Sequence, residues 1–186
     1  MLDVIVDLDQ TIYPFVNVLE AYCIERHINY DFDMTKYDFF SPGWSRRRFV
    51  DVCSKAVKDG VLYQEGIYPE SLDFMNNLKS MGCKIHIVTH REFVSTQVSK
   101  LATLNWLSDY EIPYDSLVLT GDKGSVKADM AIDDNPKYCQ DMINAGTDAW
   151  VLAHPYNTES KLNKVESLQG FANIVELQII AKNLVA

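Results

Sequence analysis

The sequence predicts a doubly wound α/β fold, a parallel sheet with helices on both faces and a small helical cap inserted after the first strand. Three observations carry this. Short apolar runs rich in β-branched residues recur along the chain, as buried strands require. Segments with helical spacing of apolar residues separate several of them, and strands alternating with helices imply a parallel sheet with right-handed crossovers. Residues 13–66 break the alternation and are rich in aromatics, among them Tyr13, Phe15, Tyr22, Tyr30, Phe32, Tyr37, Phe39, Phe40 and Trp44.

The first strand covers residues 2–8, where Val4 and Val6 alternate with Asp3, Ile5 and Asp7. Residues 84–89 (KIHIVT), 116–120 (SLVLT), 130–133 (MAID) and 149–153 (AWVLA) repeat the pattern, and 174–177 reads as a further strand. Residues 69–81 place Leu72, Met75 and Leu78 on one face, with Pro69 suited to a first helical turn and Gly82 to the stop. Residues 92–107 continue in the same way through Phe93, Val94, Val98, Leu101, Leu104 and Leu107, and residues 137–144 form a short helix before Gly146. The expected organisation is a core of residues 1–12 and 67–186 with a cap of residues 13–66. An element inserted directly after the first strand emerges at the carboxyl edge of the sheet, where open α/β sheets bind ligands, so it can act as a lid.

A chain of 186 residues with 47% apolar content can bury one sizeable core. Cys23, Cys53, Cys83 and Cys139 have no Cys-x-x-Cys spacing, which fits reduced thiols better than a disulfide framework or a zinc knuckle. No basic segment followed by an apolar stretch opens the chain, and no run approaches membrane-spanning length. A soluble cytoplasmic protein is expected. The formal charge of −9 repels a polyanion, so long nucleic acid is excluded as a partner unless a local basic patch overrides the total.

The chemistry concentrates at strand ends. Asp7 and Asp9 bracket Leu8 where the first strand finishes, and a spacing of two puts both carboxylates on one side of the chain. Two acids held so close repel unless a cation sits between them. Thr89 ends a second strand, where its hydroxyl and the nearby backbone N–H groups can meet a phosphate oxygen. Asp133 and Asp134 end a third, and Lys123 stands ten residues before Asp133 in the loop Gly121-Asp122-Lys123-Gly124. Each feature alone has an ordinary explanation, a surface turn or a solvated lysine. Their joint order along the chain is specific.

In that order, DLDQT (Asp7 to Thr11), IVT (Ile87 to Thr89), Lys123 and IDD (Ile132 to Asp134), the sequence resembles the haloacid dehalogenase superfamily. The run LTGDKGSVKADMAIDDNP (Leu119 to Pro136) is similar to the small 5′(3′)-deoxyribonucleotidase branch. The resemblance implies a Rossmann-type core and a Mg²⁺-dependent phosphomonoesterase working through an aspartyl-phosphate. Asp7 would be the nucleophile and Asp9 the acid and base. Thr89, His90 and Lys123 would hold phosphate, and Mg²⁺ would bind Asp7, the backbone carbonyl of Asp9, Asp133 and Asp134. The sequence departs from the branch at Gln10 and Thr11, often Gly and Val there, and at His90, where a small residue is usual.

Several assignments stay open at this level. Lys127 competes with Lys123 for the cationic role, although six residues before Asp133 is closer than the family pattern places it. His90 and Arg91 fit either a phosphate or sugar contact or a solvated helix start. Arg46, Arg47 and Arg48 fit a solvated face, or one of them draws an anionic ester to the lid. The cap aromatics fit a small core, with Phe15 and Trp44 as the candidates to stack on a base. The expected partner is a small phosphate ester, by the resemblance a nucleoside monophosphate; a homodimer is allowed, and no membrane partner is expected. Competing readings are a phosphatase of sugar phosphates, a dehalogenase, and a non-enzymatic phospho-accepting receiver module. Asp9 speaks against the dehalogenase, and the order of the motifs against the receiver.

Overall fold

The computed structural model describes residues 1–37 and 43–185, so Phe39 and Phe40 of the aromatic segment lie outside the described residues. Six parallel strands form one sheet in the order β3-β2-β1-β4-β5-β6. They are β1 (Asp3–Val6), β2 (Lys84–Thr89), β3 (Ser116–Leu119), β4 (Met130–Asp133), β5 (Asp148–Leu152) and the two-residue β6 (Lys164–Val165). β1 is central, with Val6 paired to Ile87 of β2 on one side and to Ile132 of β4 on the other. The strand order turns back on itself here, and such a switch point opens a crevice at the carboxyl ends. Val4, Ile5, Val6, Ile85, Ile87, Ala131 and Ile132 are fully buried, as strands covered on both faces must be.

Between β1 and the first crossover helix run α1 (Phe15–Glu25) and α2 (Arg46–Lys58). Ser45 caps α2 by accepting from the Arg48 N–H at 3.2 Å. The crossover helices are α3 (Ser71–Ser80), α4 (Thr96–Asp109) and α5 (Pro136–Asn144), and α6 (Leu168–Val185) closes the chain. Asn135 caps α5 through the Lys137 N–H at 2.9 Å, and Pro136 occupies its first turn.

Three readings of the sequence are corrected. Residues 174–177 belong to α6 and not to a strand. Leu168, Phe171, Ala172 and Val175 are buried at helical spacing, and the apolar run is a segment of that stripe. The helix expected from residue 92 starts at Thr96, because Ser95 takes the capping role and leaves residues 90–95 as a loop at the sheet edge. On α4 the buried face runs through Ser99, Ala102, Thr103 and Trp106, while Val98 and Leu101 are 44% and 61% exposed. Polar and aromatic partners set that face: Trp106 Nε1 donates to the Gly66 carbonyl at 2.8 Å, and Thr103 meets Arg91. All four cysteines are buried free thiols. Among the described residues no helix is long and apolar enough to cross a membrane.

Candidate active site

The loop after β1 is wound tightly. The Leu8 carbonyl accepts from the N–H groups of Thr11, Ile12 and Tyr13, and Gln10 adopts φ 62° between them. A left-handed conformation costs a side-chain-bearing residue roughly 1 kcal/mol, which glycine would not incur. Gln10 offsets this with its own contacts. Its Oε1 accepts from the Val16 N–H at 3.1 Å and the Tyr68 hydroxyl at 3.2 Å, and its carbonyl meets His154 Nε2 at 2.7 Å. The turn fixes Asp7 and Asp9 at the mouth of the crevice.

Lys123 lies in a 3₁₀ turn, Lys123–Ser125, packed against α5. A Cβ at Gly124 would come within 2.9 Å of the Asp141 carbonyl, so the close approach of that turn depends on glycine. The turn buries the lysine to 1% exposure. Its ammonium stands 2.6 Å from Asp7 Oδ1 and 2.6 Å from Asp133 Oδ2, with the Tyr138 ring centroid 4.6 Å away. Lys127 is remote from this group: it is exposed and donates to the Ala145 carbonyl at 3.0 Å.

Asp7, Asp133 and Asp134 each offer a carboxylate oxygen within 4.8 Å of the others, and all three are buried. Burial raises the Asp133 carboxyl to about 7, against the opposing pull of Lys123. Burial, followed by the charges of Asp133 and Asp7, raises Asp134 well above the usual carboxylate range. The Tyr156 hydroxyl donates to Asp134 Oδ2 at 2.7 Å, and its ring stacks on His154 at 5.0 Å. One ammonium serves three buried acids, and burial pushes two of them toward the neutral form; a hard cation with oxygen preference would let all three ionise. The Asp9 carboxylate is not part of the cluster. It faces Arg91, which reaches it through Nε and through Nη2 at 2.7 Å.

Asp7, Asp9, Thr89, Lys123, Asp133 and Asp134 surround a small hollow of about 60 Å³. Thr89 is fully buried, and among the described residues its Oγ1 has no hydrogen-bond partner. A buried hydroxyl without a partner costs roughly 1–3 kcal/mol, which a ligand oxygen in the hollow would recover. A cavity of about 480 Å³ adjoins it, sharing Asp9, Tyr37, His90, Asp134 and Tyr138 and extending along Phe15, Phe49 and Phe93. Phe15 and Phe93 stack at 5.8 Å, and Phe49 meets Phe93 edge-on at 5.7 Å. His90 sits at the junction, its Nδ1 2.6 Å from the Tyr138 hydroxyl and its Nε2 beside Glu92.

The structure separates the open assignments. Of the three arginines, Arg46 lines the larger cavity, Arg47 is exposed beside Asp51, and Arg48 stacks on Trp44 with its guanidinium 4.4 Å from the ring centroid. Trp44 is not among the described residues that line the larger cavity, and it meets Tyr30 edge-on at 4.3 Å. Arg91 is not a solvated helix start but a buried partner of Asp9. Tyr138, Tyr156 and His154 were not among the expected site residues, since nothing local marks a tyrosine or histidine that reaches a strand end from another element.

Comparison with known proteins follows the same lines. Residues 4–184 match the family described as "5' nucleotidase, deoxy (Pyrimidine), cytosolic type C protein". A candidate 5′(3′)-deoxyribonucleotidase of Chlorobaculum tepidum is 36% identical over 73 residues, a stretch covering 37% of this chain and 35% of that relative. Among solved structures, a candidate phosphoglycolate phosphatase from Lactobacillus delbrueckii subsp. bulgaricus superposes with TM-score 0.60 at 17% identity, over 94% of this chain and 99% of the other. The D,D-heptose 1,7-bisphosphate phosphatase of B. bronchiseptica, complexed with magnesium and phosphate, superposes with TM-score 0.50 at 12% identity, over 95% and 99%. At such identities the structural likeness speaks for the fold alone, a haloacid dehalogenase-type α/β core.

Proposed function

We propose, from the premise that this chain belongs to the family of 5′ nucleotidase, deoxy (pyrimidine), cytosolic type C proteins, that it hydrolyses nucleoside monophosphates at Asp7. The observation that carries the reading is the small hollow, where a nucleophilic carboxylate, a buried ammonium, a hydroxyl with no partner among the described residues and three further acids converge.

The chemistry follows from the groups present. Asp7 attacks phosphorus in line, giving an aspartyl-phosphate and splitting one displacement into two. Asp9 protonates the leaving nucleoside oxygen and later takes a proton from the water that hydrolyses the phosphoenzyme. An ammonium has three donors, and Asp7 and Asp133 occupy two in the free site. The third serves a phosphate oxygen, and the Thr89 hydroxyl serves another, as fixed donors where charge redistributes. Asp7, Asp133 and Asp134, with the backbone carbonyl of Asp9, would hold Mg²⁺. When bound, that ion offsets the repulsion between the carboxylates and a dianionic phosphate.

The larger cavity accommodates the nucleoside. Its size falls in the range of small-molecule sites, and the wall of Phe15, Phe49 and Phe93 offers aromatic faces on which a base can stack. In this reading residues 13–66 are the cap and supply two of the three rings. The experiment is steady-state kinetics with Mg²⁺ on deoxyribonucleoside monophosphates against sugar phosphates. Nucleotides should show kcat/KM higher by about ten-fold to a hundred-fold, the equivalent of about 1–3 kcal/mol of stacking. Equal efficiencies would overturn the nucleotidase reading and leave a general phosphatase.

A further inference from the structure

Arg91 is one of the most constrained side chains in the site, and the chemistry derived above does not use it. Its side chain is fully buried. The guanidinium carbon lies 4.8 Å from the Tyr13 ring centroid and 4.2 Å from that of Tyr63, so the charge packs over two aromatic rings. Nε donates to both Asp9 oxygens, at 3.2 Å and 3.1 Å, and Nη2 donates to Oδ1 at 2.7 Å. Nη1 points the other way, to Thr103 Oγ1 at 2.9 Å, and that hydroxyl donates onward to the Ser99 carbonyl at 2.8 Å. The position of Asp9 is thereby tied to the backbone of α4.

The bonding is lopsided. Asp9 Oδ1 receives two guanidinium donors, one of them short, whereas Oδ2 receives one longer bond. The carboxyl lines both hollows, at the passage between the phosphate end and the cavity for the leaving group. We propose that Arg91 is a positioning residue: it holds the Asp9 carboxyl with Oδ2 turned to the scissile oxygen, so that the leaving alkoxide is protonated as it departs. The proposal rests on the reading of Asp9 as the proton donor. In the step it serves, an Asp7 oxygen forms a bond to phosphorus and the bond from phosphorus to the leaving oxygen breaks. The proton on Oδ2 passes to that oxygen, and the carboxylate left behind stays paired with Arg91.

This role has a signature that a purely structural one lacks. A nucleoside alkoxide is a poor leaving group and needs the proton, whereas p-nitrophenolate departs without it. The value of kcat/KM reports only the steps through the first irreversible one, so later hydrolysis of the phosphoenzyme does not blur the comparison. Arg91→Lys and Arg91→Gln should lower kcat/KM on deoxyuridine 5′-monophosphate on the order of a hundred-fold, as displaced general acids do, and by less than about ten-fold on p-nitrophenyl phosphate. Lysine cannot restore the planar fork. Thr103→Val removes the anchor of Nη1 from outside the crevice and should reproduce the pattern more weakly, which keeps the test available should the Arg91 variants not fold. Asp9→Asn is the reference. If it shows the leaving-group dependence while the Arg91 and Thr103 variants lose both substrates equally, or neither, the positioning role is wrong and the donor assignment stands. If Asp9→Asn loses both substrates equally, the donor assignment falls and the positioning role with it.

Discussion

Lys123 Nζ lies 2.6 Å from Asp7 Oδ1 in the interior of the molecule, although the two residues are 116 positions apart in the chain. A 1%-exposed ammonium beside a buried carboxylate is expensive to desolvate, and the arrangement persists because Asp133 supplies a second partner at 2.6 Å. Proximity to the acids raises the Lys123 amine above its ordinary value despite burial, so it remains charged. That charge faces the small hollow, where the proposed reaction puts a phosphate oxygen.

Removing it should therefore be far more damaging than removing the neighbouring lysine. Lys123→Ala is expected to lower kcat by about 10²–10³-fold, the typical loss of one fixed donor to a developing charge. Lys127→Ala, which loses only an exposed bond to the Ala145 carbonyl, should stay within about two-fold. Comparable losses in the two purified variants would show that the loop is misassigned.

The acid cluster should bind a divalent cation in the folded state. A ligand that binds only the native protein stabilises it by about 2.7 kcal/mol at a hundred-fold excess over its dissociation constant. Mg²⁺ is expected to raise the melting temperature of the parent protein and to have little effect on Asp134→Asn. Melting curves with Mg²⁺ and with excess chelator check this without an activity assay. A shift of the same size in Asp134→Asn would place the ion elsewhere.

His154 makes stability depend on pH with a predictable sign. Burial lowers its imidazole below the ordinary 6.5, and the Gln10 carbonyl only partly opposes this. A lowered folded-state pKa means that the unfolded chain binds the proton more readily, so this contribution is present above about pH 6.5 and is lost as pH falls. Between about pH 7.5 and about pH 5.5 the melting temperature should drop more for the parent than for His154→Gln. Parallel drops would remove His154 from the account.

Phe15 and Trp44, equivalent candidates in the sequence, should behave differently. Phe15 lines the larger cavity, whereas Trp44 packs against Tyr30 and Arg48. Phe15→Ala is expected to raise KM for deoxyribonucleoside monophosphates about ten-fold, consistent with the loss of one stacking partner, and to leave p-nitrophenyl phosphate nearly unaffected. Trp44→Ala should lower the melting temperature and leave KM alone. Reversed effects on KM would put the base on the other side of the cap.

The parallel sheet was legible because its strands are buried on both faces, and dense β-branched runs such as residues 84–89 survive any packing detail. The polar site residues were legible because strand ends carry them: Asp7, Thr89 and Asp133 sit at the carboxyl edge of the sheet. What escaped was nonlocal. The buried stripe of α4 follows from Trp106 reaching Gly66 and Thr103 reaching Arg91, contacts that no periodicity encodes. Residues 174–177 misled because a short apolar run has no period of its own until the eighteen residues of α6 are seen together. Tyr138 and Tyr156 arrive at the site from α5 and from the loop after β5, and no sequence neighbour announces either.

The central claim is that Asp7 is the phosphoryl acceptor, and the most direct measurement is mass analysis of the acid-quenched protein during turnover of deoxyuridine 5′-monophosphate with Mg²⁺. An acyl phosphate survives acid, so the account predicts one added phosphoryl group on the peptide bearing Asp7, and neither adduct nor turnover in folded Asp7→Asn. Phosphate release continuing in that variant, with no adduct in the parent, would contradict it.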